Sequence, residues 1–335
     1  MKKFIINNRL CILLVFCFAM SISGCKKDDH PSDTPKAPQL LVTGLEELQG
    51  STVGPDKELY VTSPLDGIIW RVDPKTGAFT PFATGFPNHL PGLANLGSGV
   101  IDVAFRGGTA YALVAGVGPD FGGDDTVGIY RIDGPDSSFT VIADIGAWSI
   151  DNPPVTEFIA PQGFQYAFEP YSDGFIVTDG HHNRLLYVTL DGTITEVAAL
   201  DDVVPTGLAV RGNTIFFTQA GPIPHLPEDA KLMSLLPESS TALEVASAAG
   251  LDVGLFVDVE FDRWSVPYTL AQGKWDGPFE GAPAQPNTGA LLKLEPNGKF
   301  SVIADRLNQP TSMEFIGNSA YVVSLAGEVW KIDCA

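Results

Sequence analysis

One phrase of sequence returns along this chain: an apolar strand, a turn, and a second strand ending in alanine. Ile69-Trp70-Arg71-Val72-Asp73 leads to Phe79-Thr80-Pro81-Phe82-Ala83, and Ile129-Tyr130-Arg131-Ile132-Asp133 leads to Phe139-Thr140-Val141-Ile142-Ala143. Leu186 to Ala198 and Leu292 to Ala304 repeat it, Leu232 to Ala246 is a weaker copy, and a sixth copy, Val329 to Asp333, lacks its second half. A second phrase precedes each copy by two strands: Leu48-Gln49-Gly50, Ile101-Asp102-Val103, Pro161-Gln162-Gly163, Pro205-Thr206-Gly207, Val257-Asp258-Val259 and Pro310-Thr311-Ser312. These are spaced by 53, 60, 44, 52 and 53 residues. A unit of that length carrying four short strands is the blade of a propeller. Alternation of period two in Tyr60-Val61-Thr62 and Tyr321-Val322-Val323-Ser324 agrees, and no stretch keeps a helical period. The expected fold is all-β, a six-bladed β-propeller. The spare strand Gln39-Leu40-Leu41-Val42-Thr43 should close the last blade by pairing with Val329 to Asp333, leaving no free sheet edge.

The first residues read as an export signal. Lys2, Lys3 and Arg9 precede the apolar run Leu10 to Ala19, which is shorter than the ~20 residues of a membrane-spanning helix. Ile22-Ser23-Gly24-Cys25 follows and looks like a lipobox, so Cys25 is the expected lipidation site. The chain then divides into a signal peptide, 1–24, a lipidated cysteine with a polar, Pro-rich tether, 25–38, and the propeller, 39–335. Lys26-Lys27-Asp28-Asp29 resembles the signal that sends lipoproteins to the outer face of the outer membrane in Bacteroidetes-type bacteria. Cys11 and Cys17 leave with the signal and Cys25 is lipid-linked, which leaves Cys334 as the one thiol of the mature chain and no disulfide to support the fold.

After removal of the signal, 17 basic residues stand against 40 acidic ones, a formal charge of −23. Such a surface disfavours nucleic acid and anionic membrane, because phosphate binding needs Lys and Arg clusters. It is compatible with cations, with a neutral glycan or apolar small molecule, or with an envelope protein as partner, and contact with the membrane is expected through the lipid anchor only.

An ordered series of motifs resembles the ScyD/ScyE family: Gly99-Val100-Ile101-Asp102-Val103-Ala104-Phe105, Gly128-Ile129-Tyr130-Arg131-Ile132-Asp133, Ala143-Asp144-Ile145-Gly146-Ala147-Trp148, Val177-Thr178-Asp179-Gly180 and Val204-Pro205-Thr206-Gly207-Leu208-Ala209-Val210. The likeness runs from about residue 45 to the end and implies an exported six-bladed propeller with NHL- or lactonase-like blades. It transfers no catalytic residue. The chain departs from the family at Gly180-His181-His182-Asn183 and at Pro161-Gln162-Gly163. Lactonases with similar blades hold a divalent metal at the top of the channel with Glu, Asn and Asp, which makes a metal-dependent hydrolase the alternative to a binding module.

Loop length marks one face. The connections between second and third strands and between successive blades are long (84–98, 115–128, 144–160, 219–231 and 271–289), whereas the other turns are tight. Long loops in a compact domain concentrate binding residues. Three groups on that face are candidates. Asp120, Asp124 and Asp125 sit on a Gly-rich loop whose carboxylates suit Ca²⁺, without the spacing of the helix-loop-helix calcium motif. Asp179, His181, His182 and Asn183 share one turn. Gln49, Asp102, Gln162, Thr206, Asp258 and Thr311 should ring the channel mouth, with Asp102 and Asp258 on opposite blades. Trp148, Trp264, Trp275, Phe256 and Phe279 could stack on a ligand from the loops. No nucleophile elbow or phosphate loop is present in the sequence.

Overall fold

The structure is a computed structural model that describes residues 37–88, 98–136, 138–239, 241–277 and 281–334. The signal peptide, Cys25 and most of the tether lie outside the described residues. Six antiparallel four-stranded sheets form six blades. Their inner strands are Ser51–Val53, Gly99–Arg106, Gln165–Tyr171, Pro205–Arg211, Gly254–Phe261 and Pro310–Ile316. Five blades are consecutive in sequence. In the sixth, Gln39–Val42 takes the outer position against Glu328–Asp333, with Gln39 opposite Lys331 and Val42 opposite Val329. The two ends of the domain therefore share one sheet, and the backbone groups of the last blade's third strand are paired on both sides.

The outer strands are exposed over much of their length, and the period-two alternation fails on the second ones. Phe79–Thr84 is largely exposed, but Thr109–Ala115, Gly174–Asp179 and Ser319–Ser324 are buried almost throughout. A second strand has a neighbouring blade against each face, so its side chains leave water in both directions and the sequence reads as a continuous apolar run. Aromatic pairs join a second strand to the next blade's inner strand at equivalent places: Tyr60 with Phe105 (ring centroids 4.7 Å apart), Phe216 with Phe261 (5.0 Å) and Tyr268 with Phe315 (4.9 Å); Tyr111 meets Phe175 of the next blade's second strand (4.9 Å).

One long connection is not plain loop. Ile145–Asp151 is a short α-helix, capped where Asp144 Oδ1 accepts from Ala147 N at 2.8 Å and ended by Asn152-Pro153-Pro154. Seven residues are too few to show a helical period. Cys334 is buried against the last blade, and burial pushes its thiol up to about 11.

Candidate functional site

The inner strands surround a narrow cavity of about 20 Å³, lined in its upper part by Gln49, Asp102, Tyr166, Asp258 and Thr311. Asp102 and Asp258, expected on the ring at the channel mouth, are both committed to backbone. Asp102 Oδ1 accepts from Val103 N (2.9 Å) and Oδ2 from Phe168 N on the next blade (3.1 Å). Asp258 does the same with Val259 N (2.8 Å) and Met313 N (2.7 Å). The two sites repeat three blades apart. Each is overhung by a glycine of the preceding blade: a Cβ on Gly50 would lie 2.3 Å from Asp102 Oδ1, and one on Gly207 2.5 Å from Asp258 Oδ1.

Threonine hydroxyls make further joints of the ring. Thr62 donates to Ile101 O (2.8 Å), Thr178 to Thr206 O (2.6 Å), Thr206 to Phe256 O (2.8 Å) and Thr311 to Leu48 O (3.1 Å). Thr206 and Thr311 thus stitch neighbouring inner strands together, as the two aspartates do. Changing Asp258 to Asn leaves one oxygen for two amides, so either Met313 N or Val259 N loses its partner. The expected loss is about 1–3 kcal/mol of unfolding free energy in urea titration, whereas Asp124→Asn, on an exposed loop, should change nothing measurable.

Gln162 is not on the ring. The third inner strand starts at Gln165, which pairs with Asp179 as Pro205 pairs with Gln219 and Pro310 with Ser324. The residue following each of these is Tyr166, Thr206 and Thr311, so Tyr166 occupies the position that the Pro-Gln-Gly phrase assigns to Gln162. Tyr166 reaches across the channel, where its hydroxyl donates to Thr311 O (3.3 Å). Gln162 instead lies beneath the loops, where its N–H donates to Asp120 Oδ2 at 2.6 Å.

Below this ring the channel is acidic. Glu169 and Glu260 line it, and Glu314 interacts with both them and Asp258. Burial raises the carboxyl of Glu169 to about 8, with Asp258 adding to the effect, and raises Asp258 to about 7. Burial and mutual repulsion hold Asp102, Glu260 and Glu314 well above the usual range. Arg211, at the lower opening, also lies beside Glu169 and Glu260, but it is exposed, over the Phe261 ring and bonded to Ser265. The glutamates were legible in principle, since Glu260 stands two residues after Asp258 on one strand and therefore faces the same way.

The Asp179 turn is a buried hub. Asp179 accepts from Arg184 Nε (3.0 Å) and Phe164 N (3.2 Å), and His182 Nδ1 lies 3.1 Å from it. Burial would push the Asp179 carboxyl up, but His182 and Arg184 hold it below its ordinary value. Arg184 also donates to Ser149 Oγ (2.9 Å) and Asn152 O (2.7 Å) and lies over the Trp148 ring. His182 Nε2 is 2.8 Å from Ala160 O, which can only accept, so that nitrogen carries a proton. His181 Nε2 accepts from Ile159 N (2.9 Å) and Ala160 N (3.1 Å), and Asn183 Oδ1 accepts from Val203 N (2.9 Å) and Val204 N (2.7 Å).

The other candidates separate. Asp124 and Asp125 are exposed. Trp275 is half-buried, donating to Ala282 O (2.7 Å) and edge-on to His225. Phe256 belongs to the core, and Trp264 is exposed on the opposite, short-loop face; Phe279 lies outside the described residues. No group of three or more His, Cys, Asp or Glu side chains among the described residues is arranged to hold a metal.

The fold defines the protein as a six-bladed β-propeller whose channel walls are tied by side chain to backbone bonds. No family model and no curated protein matches the chain. Solved propellers do. Virginiamycin B lyase from Staphylococcus aureus is 14% identical, with TM-score 0.54, over 89% of this chain and 98% of that one. A gluconolactonase from Xanthomonas campestris is 10% identical, with TM-score 0.62, over 89% of each. Aldose sugar dehydrogenase from Streptomyces coelicolor is 13% identical, with TM-score 0.57, over 90% of this chain and 98% of that one. These likenesses establish the fold.

Proposed function

We propose that this protein is a binding propeller of the cell envelope, of the ScyD/ScyE type, held by a lipid on Cys25 and engaging its ligand through the long-loop face. The observation that carries this reading is how the polar groups are used. Asp102, Asp258, Asp179, His181, His182 and Asn183 all hold backbone or one another, while large apolar side chains on the same face stay in water. Val155 is 95% exposed and Ile159 80%. Apolar surface left uncovered on a hydrogen-bonded, ordered rim marks a site for association.

The second reading is a metal-dependent lactonase, favoured by the shared fold with gluconolactonases. Both of its expected ligands already accept two amide hydrogens. One experiment separates the two. Purified protein is assayed for lactone hydrolysis with added Ca²⁺, alongside a thermal-shift screen of saccharides and apolar ligands. The binding reading expects no turnover, and a ligand-dependent rise in melting temperature that disappears in Val155→Ser/Ile159→Ser. Calcium-dependent hydrolysis lost in Asp102→Asn/Asp258→Asn overturns it. For the anchor, Cys25→Ser is expected to move the protein from the membrane to the soluble fraction.

A further inference from the structure

The long-loop face between blades 2 and 4 combines two properties. The first is apolar exposure: Ile150, Val155, Phe158 and Ile159 lie on the connection from blade 2 to blade 3, and Ile223 and Leu226 on a loop of blade 4. These segments are tied into one surface. His181 holds 159–160, Asn183 holds 203–204, and Ala220 N and Gly221 N donate to Val204 O and Val203 O at 3.0 and 2.9 Å. The second property is the sign of the charge. The blade connection carries Asp144, Asp151 and Glu157. The neighbouring loop, joined to it by the bond from Gln162 N to Asp120, carries Asp120, Asp124 and Asp125, and the next connection carries Asp201 and Asp202. All eight are exposed, and none of the three segments contains a Lys or Arg.

We infer that this surface docks a cationic amphipathic polypeptide, one that sets apolar side chains on Val155 and Ile159 and lysines or arginines against the surrounding carboxylates. The inference rests on the long-loop face being the binding face and names the chemistry of its partner. Apolar anchors desolvated inside a charged rim supply affinity, while the rim supplies selection and salt dependence. An anionic partner would meet eight carboxylates with no compensating cation on these segments, which is the repulsive half of specificity. Bonds from His181, Asn183 and Asp120 to backbone hold these loops in place, so little ordering is required on binding.

The test uses a synthetic amphipathic peptide of lysine and leucine as probe, with a glutamate and leucine counterpart, followed by fluorescence anisotropy. The lysine peptide is expected to bind, with affinity falling steeply between about 50 and about 300 mM salt. Val155→Ser/Ile159→Ser should weaken it about tenfold or more with an unchanged melting temperature, as should Asp201→Lys/Asp202→Lys. Asp136→Lys/Glu238→Lys makes the same change in net charge on the short-loop face and should leave affinity within about twofold. Equal weakening by the two lysine pairs would mean diffuse attraction and would overturn the site. Failure of the lysine peptide to bind would overturn it as well. If the glutamate peptide binds in its place and the serine pair weakens it, the cationic partner is wrong and the loop-face reading stands. If the serine pair alters neither peptide's binding, the loop-face reading falls too.

Discussion

Arg184→Met is expected to lower the free energy of unfolding by about 3–5 kcal/mol, the largest effect of the single substitutions described, because it removes the guanidinium that pairs with the buried carboxylate of Asp179. Arg184 and Asp179 are both essentially inaccessible, and the guanidinium reaches Asp179, Ser149 and the Asn152 carbonyl together. Without it, Asp179 keeps two acceptor bonds' worth of demand in a low-dielectric site with only Phe164 N and His182 to answer it. Asp179→Asn/Arg184→Met removes both charges and should cost less than the two single changes summed, with the coupling read from a double-mutant cycle in urea. Because Arg184 also fixes the end of the short helix, the single variant should lose amide-exchange protection at 145–152 before the strands do. If Arg184→Met costs under about 1 kcal/mol, the hub is no more than a packed surface feature.

The second large effect is a stability that falls as pH rises. Glu169 and Asp258 titrate near 8 and 7 in the folded protein, whereas unfolded carboxyls titrate near 4. Between those limits the folded state binds more protons than the unfolded one, so unfolding becomes easier with increasing pH. The contribution of the protonated channel is fully present below about pH 4 and is lost as pH passes through about 7–8. Glu260 and Glu314, raised in the same direction, extend the loss toward alkaline pH. Glu169→Gln/Glu260→Gln/Glu314→Gln keeps the shape and removes the titration of the three glutamates, leaving that of Asp102 and Asp258. The variant should match the parent near pH 5 and exceed it at about pH 8.5 by on the order of 2–4 kcal/mol, allowing for screening by channel water. Parallel stability curves for the two proteins would show that the glutamates do not share the cavity with one another.

Several readings of the sequence hold at the level of architecture because architecture repeats. The blade phrase recurs with short strands joined by short turns, and the spare strand before Gly44 has one unpaired edge to fill, which it does against Val329 to Lys331. Blade 3 shows where pattern misleads. Pro161-Gln162-Gly163 looks like Pro205-Thr206-Gly207, but the strand begins three residues later, and an aromatic, Tyr166, takes the channel position. Nothing local distinguishes a strand start from a loop that imitates one; the pairing of Gln165 with Asp179 decides it. Trp264 was legible as a large aromatic near a turn, and only the strand order assigns that turn to the short-loop face.

From the sequence alone came the number of blades, their closure, the acidity of the surface and the face that carries the long loops, all properties of period, composition and length. The tertiary structure decided what each polar group does. An aspartate in Ile-Asp-Val or Val-Asp-Val can hold a metal, a substrate or a neighbouring strand, and the choice depends on which amides lie within about 3 Å of it. For Asp102 and Asp258 one amide is that of the next residue, and the other belongs to Phe168 and Met313 respectively, more than fifty residues away along the chain. Closing the ring brings them within reach, and residues that read as candidate ligands become the joints that keep the propeller shut.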